Sequence, residues 1–243
     1  MAEQIITNKD RLKFYNEKEY HYKWDRKLKD MSWKYTFFYP IVKAVCRFKF
    51  GDFEYHGTEN LPKTGPVMIC SNHVAGLDPI ALTGILYRDH NMRNLYFMAK
   101  EEFFHTFYTK IPLLVLGGFP VKRGTADRDA LEFSIRILNE GNCLLVFPEG
   151  TRDKTRSRPK VENAKAGMAL IARETKADIV PMSVYRGPTV KGQKDKYVIR
   201  LGEVIPFEEL GLGEKPKSRE LKEATNLVME RIIELWDKDG QQK

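Results

Sequence analysis

The chain has 243 residues, with 41 Lys+Arg against 33 Asp+Glu and a formal net charge of +8. At 42% apolar and 30% charged it can bury a sizeable core, which excludes wholesale disorder. The cation excess favours phosphate-bearing partners: nucleic acid, an anionic membrane, or a small phosphorylated substrate.

The charge is unevenly spread. Residues 1–50 hold 12 Lys+Arg and 6 Asp+Glu, a net of +6, and the remaining 193 hold 29 against 27, a net of +2. The same 50 residues carry 12 of the 28 aromatics, interleaved with the cations. This pattern predicts one or two amphipathic helices, broken near Met31 and Pro40, with no apolar run of spanning length. The start also lacks the apolar core of a signal peptide. Residues 1–50 are therefore expected to lie on an anionic membrane surface, each cation adding about 1 kcal/mol of attraction. The alternative is that the aromatics bury against the rest of the chain. Such a segment places the protein at the cytoplasmic face of a membrane, peripheral or monotopic. Cys46, Cys70 and Cys143 are too few and too irregularly spaced for a disulfide framework or a zinc site, and read as reduced, buried thiols.

Residues 51–243 read differently. Short apolar runs, PVMICSN, NLYFMA, NCLLVFP, DIVPMSV and KYVIRLGEVI, predict strands. Between and after them, helices are expected over 80–87, 127–139, 163–175 and 218–236. The alternation predicts an α/β domain, with a mixed, largely parallel sheet flanked by helices. The N-terminal helical segment precedes it.

Four segments carry candidate chemistry. Ser71 to Pro79 (SNHVAGLDP) follows the first predicted strand. A turn at Gly76 can bring His73 and Asp78 together, so that the carboxylate holds one ring nitrogen and frees the other as a base. Asp78 before Pro79 also reads as a plain helix cap. In GGFPVKR, Lys122 and Arg123 follow a Gly-Gly turn, and a guanidinium there suits phosphate; a solvated cation pair is the plain reading. In VFPEGTRD, Gly150 permits close backbone approach and Glu149 can accept from hydroxyls. Arg152 can hold phosphate or pair with Glu149. IVPMS places Pro181 in a strand, which belongs at an edge or a bulge.

Taken in order, NHVAGLDP, GGFPVKR, VFPEGTR and IVPMS resemble the four blocks of the glycerolipid acyltransferase family, which includes the 1-acylglycerol-3-phosphate acyltransferases. FPEGTR is the most specific of them. The resemblance covers roughly residues 67–183. It implies transfer of a fatty acyl group from a thioester, acyl-CoA or acyl carrier protein, to the sn-2 hydroxyl of 1-acylglycerol-3-phosphate, giving phosphatidic acid. It implies His73 as general base and Asp78 as its partner, with Arg123 and Lys122 on the acceptor phosphate. Glu149, Gly150, Thr151 and Arg152 then line the glycerol-phosphate site, and Lys100 is a further phosphate candidate. No cofactor or metal is expected beyond the thioester co-substrate. The sequence has no G-x-S-x-G elbow, so direct transfer without a covalent enzyme intermediate is expected. Glycerol-3-phosphate or another lysophospholipid is the alternative acceptor. A non-catalytic lipid- or nucleic-acid-binding protein is the alternative class, and the near-neutral body argues against nucleic acid.

Overall fold

The computed structural model describes residues 53–74, 95–122, 127–153, 155, 157–187 and 196–240, with Pro40, Ala44 and Phe48 individually. The expected N-terminal segment and the helix over 80–87 lie outside the described residues, as do Cys46, Gly76, Asp78 and Arg123.

Seven strands form one sheet: β1 (Phe53–His56), β2 (Val67–Ser71), β3 (Leu95–Lys100), β4 (Gly118–Val121), β5 (Cys143–Val146), β6 (Asp178–Arg186) and β7 (Tyr197–Leu201). Their order is β1-β7-β6-β2-β5-β3-β4. All neighbours run parallel except β6 and β7. The expected mixed, largely parallel α/β sheet is what forms.

Strand alternation divides the core into two layers. Met68 and Cys70 of β2, Tyr96 of β3 and Leu144 of β5 face one layer, and Val67, Ile69, Phe97 and Leu145 face the other. A parallel sheet covered on both faces demands this, and it is why these strands read as continuous apolar runs. The first layer is closed by helices α2 (Arg128–Asn139), α3 (Gly167–Thr175) and α4 (Ser218–Gly240). On α2 the buried residues Ala130, Phe133, Ser134, Ile137 and Leu138 follow the 3.6-residue period, and Phe133 meets Phe119 edge-on at 4.9 Å. Helix α1 (Phe107–Val115) contributes Leu113 to the second layer. At the end of α4, Arg158 bonds both oxygens of Asp237 at 2.7 Å, and Arg200 bonds both oxygens of Asp239. The first fork fastens the helix to the connection between β5 and α3, and the second fastens it to β7.

Two strands and one helix escape the sequence reading. β1 is only four residues long, and α1 carries Pro112, which reads as a break. GGFPVKR reads as a turn, yet Gly118 to Val121 form edge strand β4, where Pro120 removes no needed donor. A side chain on Gly118 would meet the Phe97 ring at 3.1 Å, so glycine is what lets this strand close on β3. Pro181 lies in an interior strand, but at a bulge. From Met182↔Leu201 to Ile179↔Ile205, three steps on β6 oppose four on the partner chain. The predicted helix over 163–175 begins later, at Gly167, after a 3-10 turn at Val161–Asn163.

Candidate active site

Strands β2, β5, β3 and β4 are mutually parallel, so the segments that follow them emerge at one edge of the sheet. In open α/β sheets this carboxyl edge is where ligands bind. It carries Asn72–His73 after β2, Phe147–Asp153 after β5, Lys100 at the end of β3 and Lys122 after β4.

Asn72 makes the first fixed point. Its side chain donates to Val184 O at 2.9 Å and accepts from Val184 N–H at 2.8 Å, so a buried amide extends the ladder between β2 and β6 by one step. His73 follows and is 6% exposed. The turn after β5 grips it in three ways. The Glu149 carboxylate accepts the His73 N–H, the Asp153 N–H donates to His73 O at 2.9 Å, and the Phe147 ring stacks on the imidazole at 4.2 Å. Two sequence blocks some 75 residues apart are thereby one unit.

The turn is itself well defined. Gly150 N–H donates to Phe147 O at 2.9 Å, and Gly150 takes φ +66°, which favours glycine. Lys165 N–H donates to Pro148 O at 2.9 Å, and the Lys165 chain lies across the turn, its Nζ 3.2 Å from where a Gly150 Cβ would stand. Burial pushes the Asp153 carboxyl up. The hydroxyls and N–H groups of Thr155 and Ser157, at 2.6–3.1 Å, outweigh that and hold it below its usual range.

Glu149 is the electrostatic anomaly. It is 5% exposed, and its Oε2 has no hydrogen-bond partner among the described residues. Burial pushes its carboxyl up to about 7, with the Asp153 charge adding to the shift and the His73 N–H opposing it. An ion pair with Arg152 does not form: Arg152 and Thr151 are exposed. Glu149 is thus a buried carboxyl biased toward its protonated form, with one buried oxygen unpaired among the described residues.

The cations are more spread out than the motifs suggest. Lys100 Nζ pairs with Glu102 at 2.5 Å. Lys122 is exposed, and its N–H donates to Asp127 at 2.7 Å. The other Asp127 oxygen caps α2 through Ala130 N–H at 3.0 Å. Asp127 so ties Lys122 to the start of α2. Strand order puts β4 three places from β2, about 14 Å at ~4.8 Å per strand. Cys70 on β2 is a buried free thiol whose pKa burial pushes far up, leaving it inert. Among the described residues no three His, Cys, Asp or Glu are grouped to hold a metal ion.

Sequence reasoning missed Asn72, Phe147 and Lys165 as site residues. The first two stand inside the quoted blocks, Asn72 directly before His73 and Phe147 two residues before Glu149. Lys165 has no local motif.

Comparisons with known proteins bear on the family and the fold. The 1-acyl-sn-glycerol-3-phosphate acyltransferase of Bacillus subtilis is 30% identical over 209 residues, covering 84% of this chain and 98% of that one. The enzyme of the same name from Streptococcus pneumoniae is 25% identical over 181 residues, 72% of this chain and 64% of its own length. The fold is that of a Thermotoga maritima 1-acyl-sn-glycerophosphate acyltransferase, PlsC, in its crystal structure. Its TM-score is 0.55 at 22% identity, over 89% of this chain and 80% of that one. Residues 52–185, more than half of the chain and the span that assembles this carboxyl edge, match the acyltransferase family, and the chain belongs to it.

Proposed function

We propose that this acyltransferase moves a fatty acyl group from acyl-CoA or acyl carrier protein to the sn-2 hydroxyl of 1-acylglycerol-3-phosphate, giving phosphatidic acid. The observation that carries the reading is the fixing of His73 at the carboxyl edge by the Phe147–Asp153 turn. The activity for which the Bacillus subtilis relative is named supplies the substrate class.

In this reading His73 removes the proton of the sn-2 hydroxyl, with Asp78 orienting the imidazole and stabilising its charge. The alkoxide oxygen attacks the thioester carbonyl, and the tetrahedral oxyanion collapses by expelling the thiolate. That thiolate takes the proton back from His73, so the products are the new ester and a free thiol. A positioned histidine supplies ~10²–10⁴-fold in such a step. A thiolate leaves well enough that no acyl-enzyme is needed, and inert Cys70 offers no nucleophile. Arg123 and Lys122 hold the acceptor phosphate, with Lys100 held back by Glu102. Glu149, Gly150, Thr151 and Arg152 border the glycerol, with Glu149 Oε2 buried and unpaired among the described residues.

The substrate is a lipid, so the enzyme works at a membrane surface. We assign contact with the anionic cytoplasmic leaflet to residues 1–50. On the described body, Phe107, Tyr108 and Ile111 of α1 are 71%, 85% and 41% exposed, just beyond the end of β3. Among the described residues no helix is long and apolar enough to cross a membrane.

Thiol release with acyl-CoA and lysophosphatidate tests the chemistry. His73→Ala should lose at least about 100-fold in kcat; equal thiol release by both proteins refutes the base. Arg123→Ala should raise the KM for the acceptor while sparing the donor. A variant lacking residues 1–45 should sediment less with anionic vesicles, and full sedimentation would refute the membrane segment.

A further inference from the structure

A cavity of about 310 Å³ opens between α2 and α3, against the back of the Phe147–Gly150 turn. That volume sits at the lower end of the ~300–1,000 Å³ usual for ligand pockets. Its walls are apolar, with Met98, Leu131, Met168 and Leu170 among them. Two methionines make such a wall adaptable. Its charged lining is different in kind. Arg128 and Lys165 are exposed, and so stand at the mouth, and neither makes an ion pair with a described residue. The acidic member, Asp127, already has both oxygens bonded to N–H groups. Phe147 lines this cavity and also stacks on His73, so the space begins one ring away from the base.

We propose that this cavity holds the sn-1 acyl chain of the lysophosphatidate acceptor, with Lys165 and Arg128 at its mouth drawing in the phosphate. The inference rests on the acceptor class proposed above and selects within it. An apolar space with cations at the rim fits a ligand whose anion lies close to its chain. In lysophosphatidate only a three-carbon glycerol separates the two. In the thioester donor, the nearest phosphate lies at the far end of a neutral pantetheine arm. Glycerol-3-phosphate has no chain to fill the space, so a filled cavity favours the lysophospholipid over it.

The test is a series of lysophosphatidates of increasing sn-1 chain length, assayed below their aggregation concentration with full-length enzyme. Each methylene taken out of water should tighten binding about fourfold until the cavity is full, after which the KM should level off. Leu170→Trp, at a half-buried wall position, should move that plateau to shorter chains and leave the KM for the donor unchanged. Lys165→Met keeps the alkyl stem and removes the charge. It should raise the acceptor KM about tenfold at every chain length. A shift in donor chain preference by Leu170→Trp would assign the cavity to the donor and overturn the proposal. So would a wild-type KM independent of chain length, or an unchanged acceptor KM in Lys165→Met, a variant at an exposed position whose folding is not at stake. Calorimetric binding of lysophosphatidate without donor separates the two readings. Chain-dependent binding by an enzyme that releases no thiol would sink the proposed reaction and leave the cavity assignment standing. Turnover with a flat chain series would do the reverse.

Discussion

The backbone N–H of His73 donates to the carboxylate of Glu149, a group 5% exposed to solvent whose second oxygen is unpaired among the described residues. The block that carries the proposed base is thus anchored by the block proposed to border the acceptor. Disturbing Glu149 must therefore disturb both catalysis and stability.

The sign of the pH effect follows from the raised carboxyl. Folded, Glu149 titrates near 7; its ordinary value is 4.5. Between those values the native state binds more protons than the unfolded chain, so stability falls as pH rises through this window. Glu149→Gln keeps an acceptor for the His73 N–H and cannot ionise. Its stability relative to wild type should rise between pH 4.5 and 7 by up to about 3 kcal/mol, then level off. Urea unfolding across that range checks this, and a difference that does not vary with pH would sink it.

Asn72 binds both backbone groups of Val184 from a buried position. Asn72→Ala strands a buried N–H and a buried C=O at once. A loss of about 2–4 kcal/mol is expected, with a fall in kcat because His73 is the next residue. Denaturant midpoints compared with thiol-release rates test the pair; a variant as stable as wild type contradicts the account.

Gly150→Ala introduces a Cβ at φ +66° and within 3.1–3.3 Å of the Lys165 side chain. The strain costs about 1–2 kcal/mol. Displacing Lys165 should also raise the acceptor KM, and an acceptor KM equal to that of wild type would count against Lys165 at the site.

Asp127→Ala removes the α2 cap, worth about 1 kcal/mol, and releases Lys122 N–H at the other end of the 123–126 segment. The expected signature is a raised KM for the phosphorylated acceptor with the donor KM unaffected. Asp127→Asn, which retains a cap, should recover most of the stability.

What could be read from the sequence divides along physical lines. β2, β3, β5, β6 and β7 were legible because strands buried on both faces must be continuously apolar, and α2, α3 and α4 because one buried face imposes a 3.6-residue period. β4 and α1 were not, because their signals depend on local chemistry that edge position overrules: Pro120 is harmless where no donor is needed, and Pro112 reads as a terminator. The candidate chemistry was visible as residue types, His73 and Glu149 above all, but not as a connected site.

The sequence by itself determined the α/β class, the four blocks and the family they resemble, since alternation, periodicity and motif spacing are local properties. The sequence also located the +6 of residues 1–50, which lie outside the described body. Only the tertiary structure decided that Glu149 is buried and titrates near 7, that it clamps the backbone of His73, that Asn72 reaches Val184, and that Lys165 lies across Gly150. Each of these joins segments far apart in the chain. Burial, and the desolvation that follows from it, exists only once the parallel strands have brought their carboxyl ends to one edge.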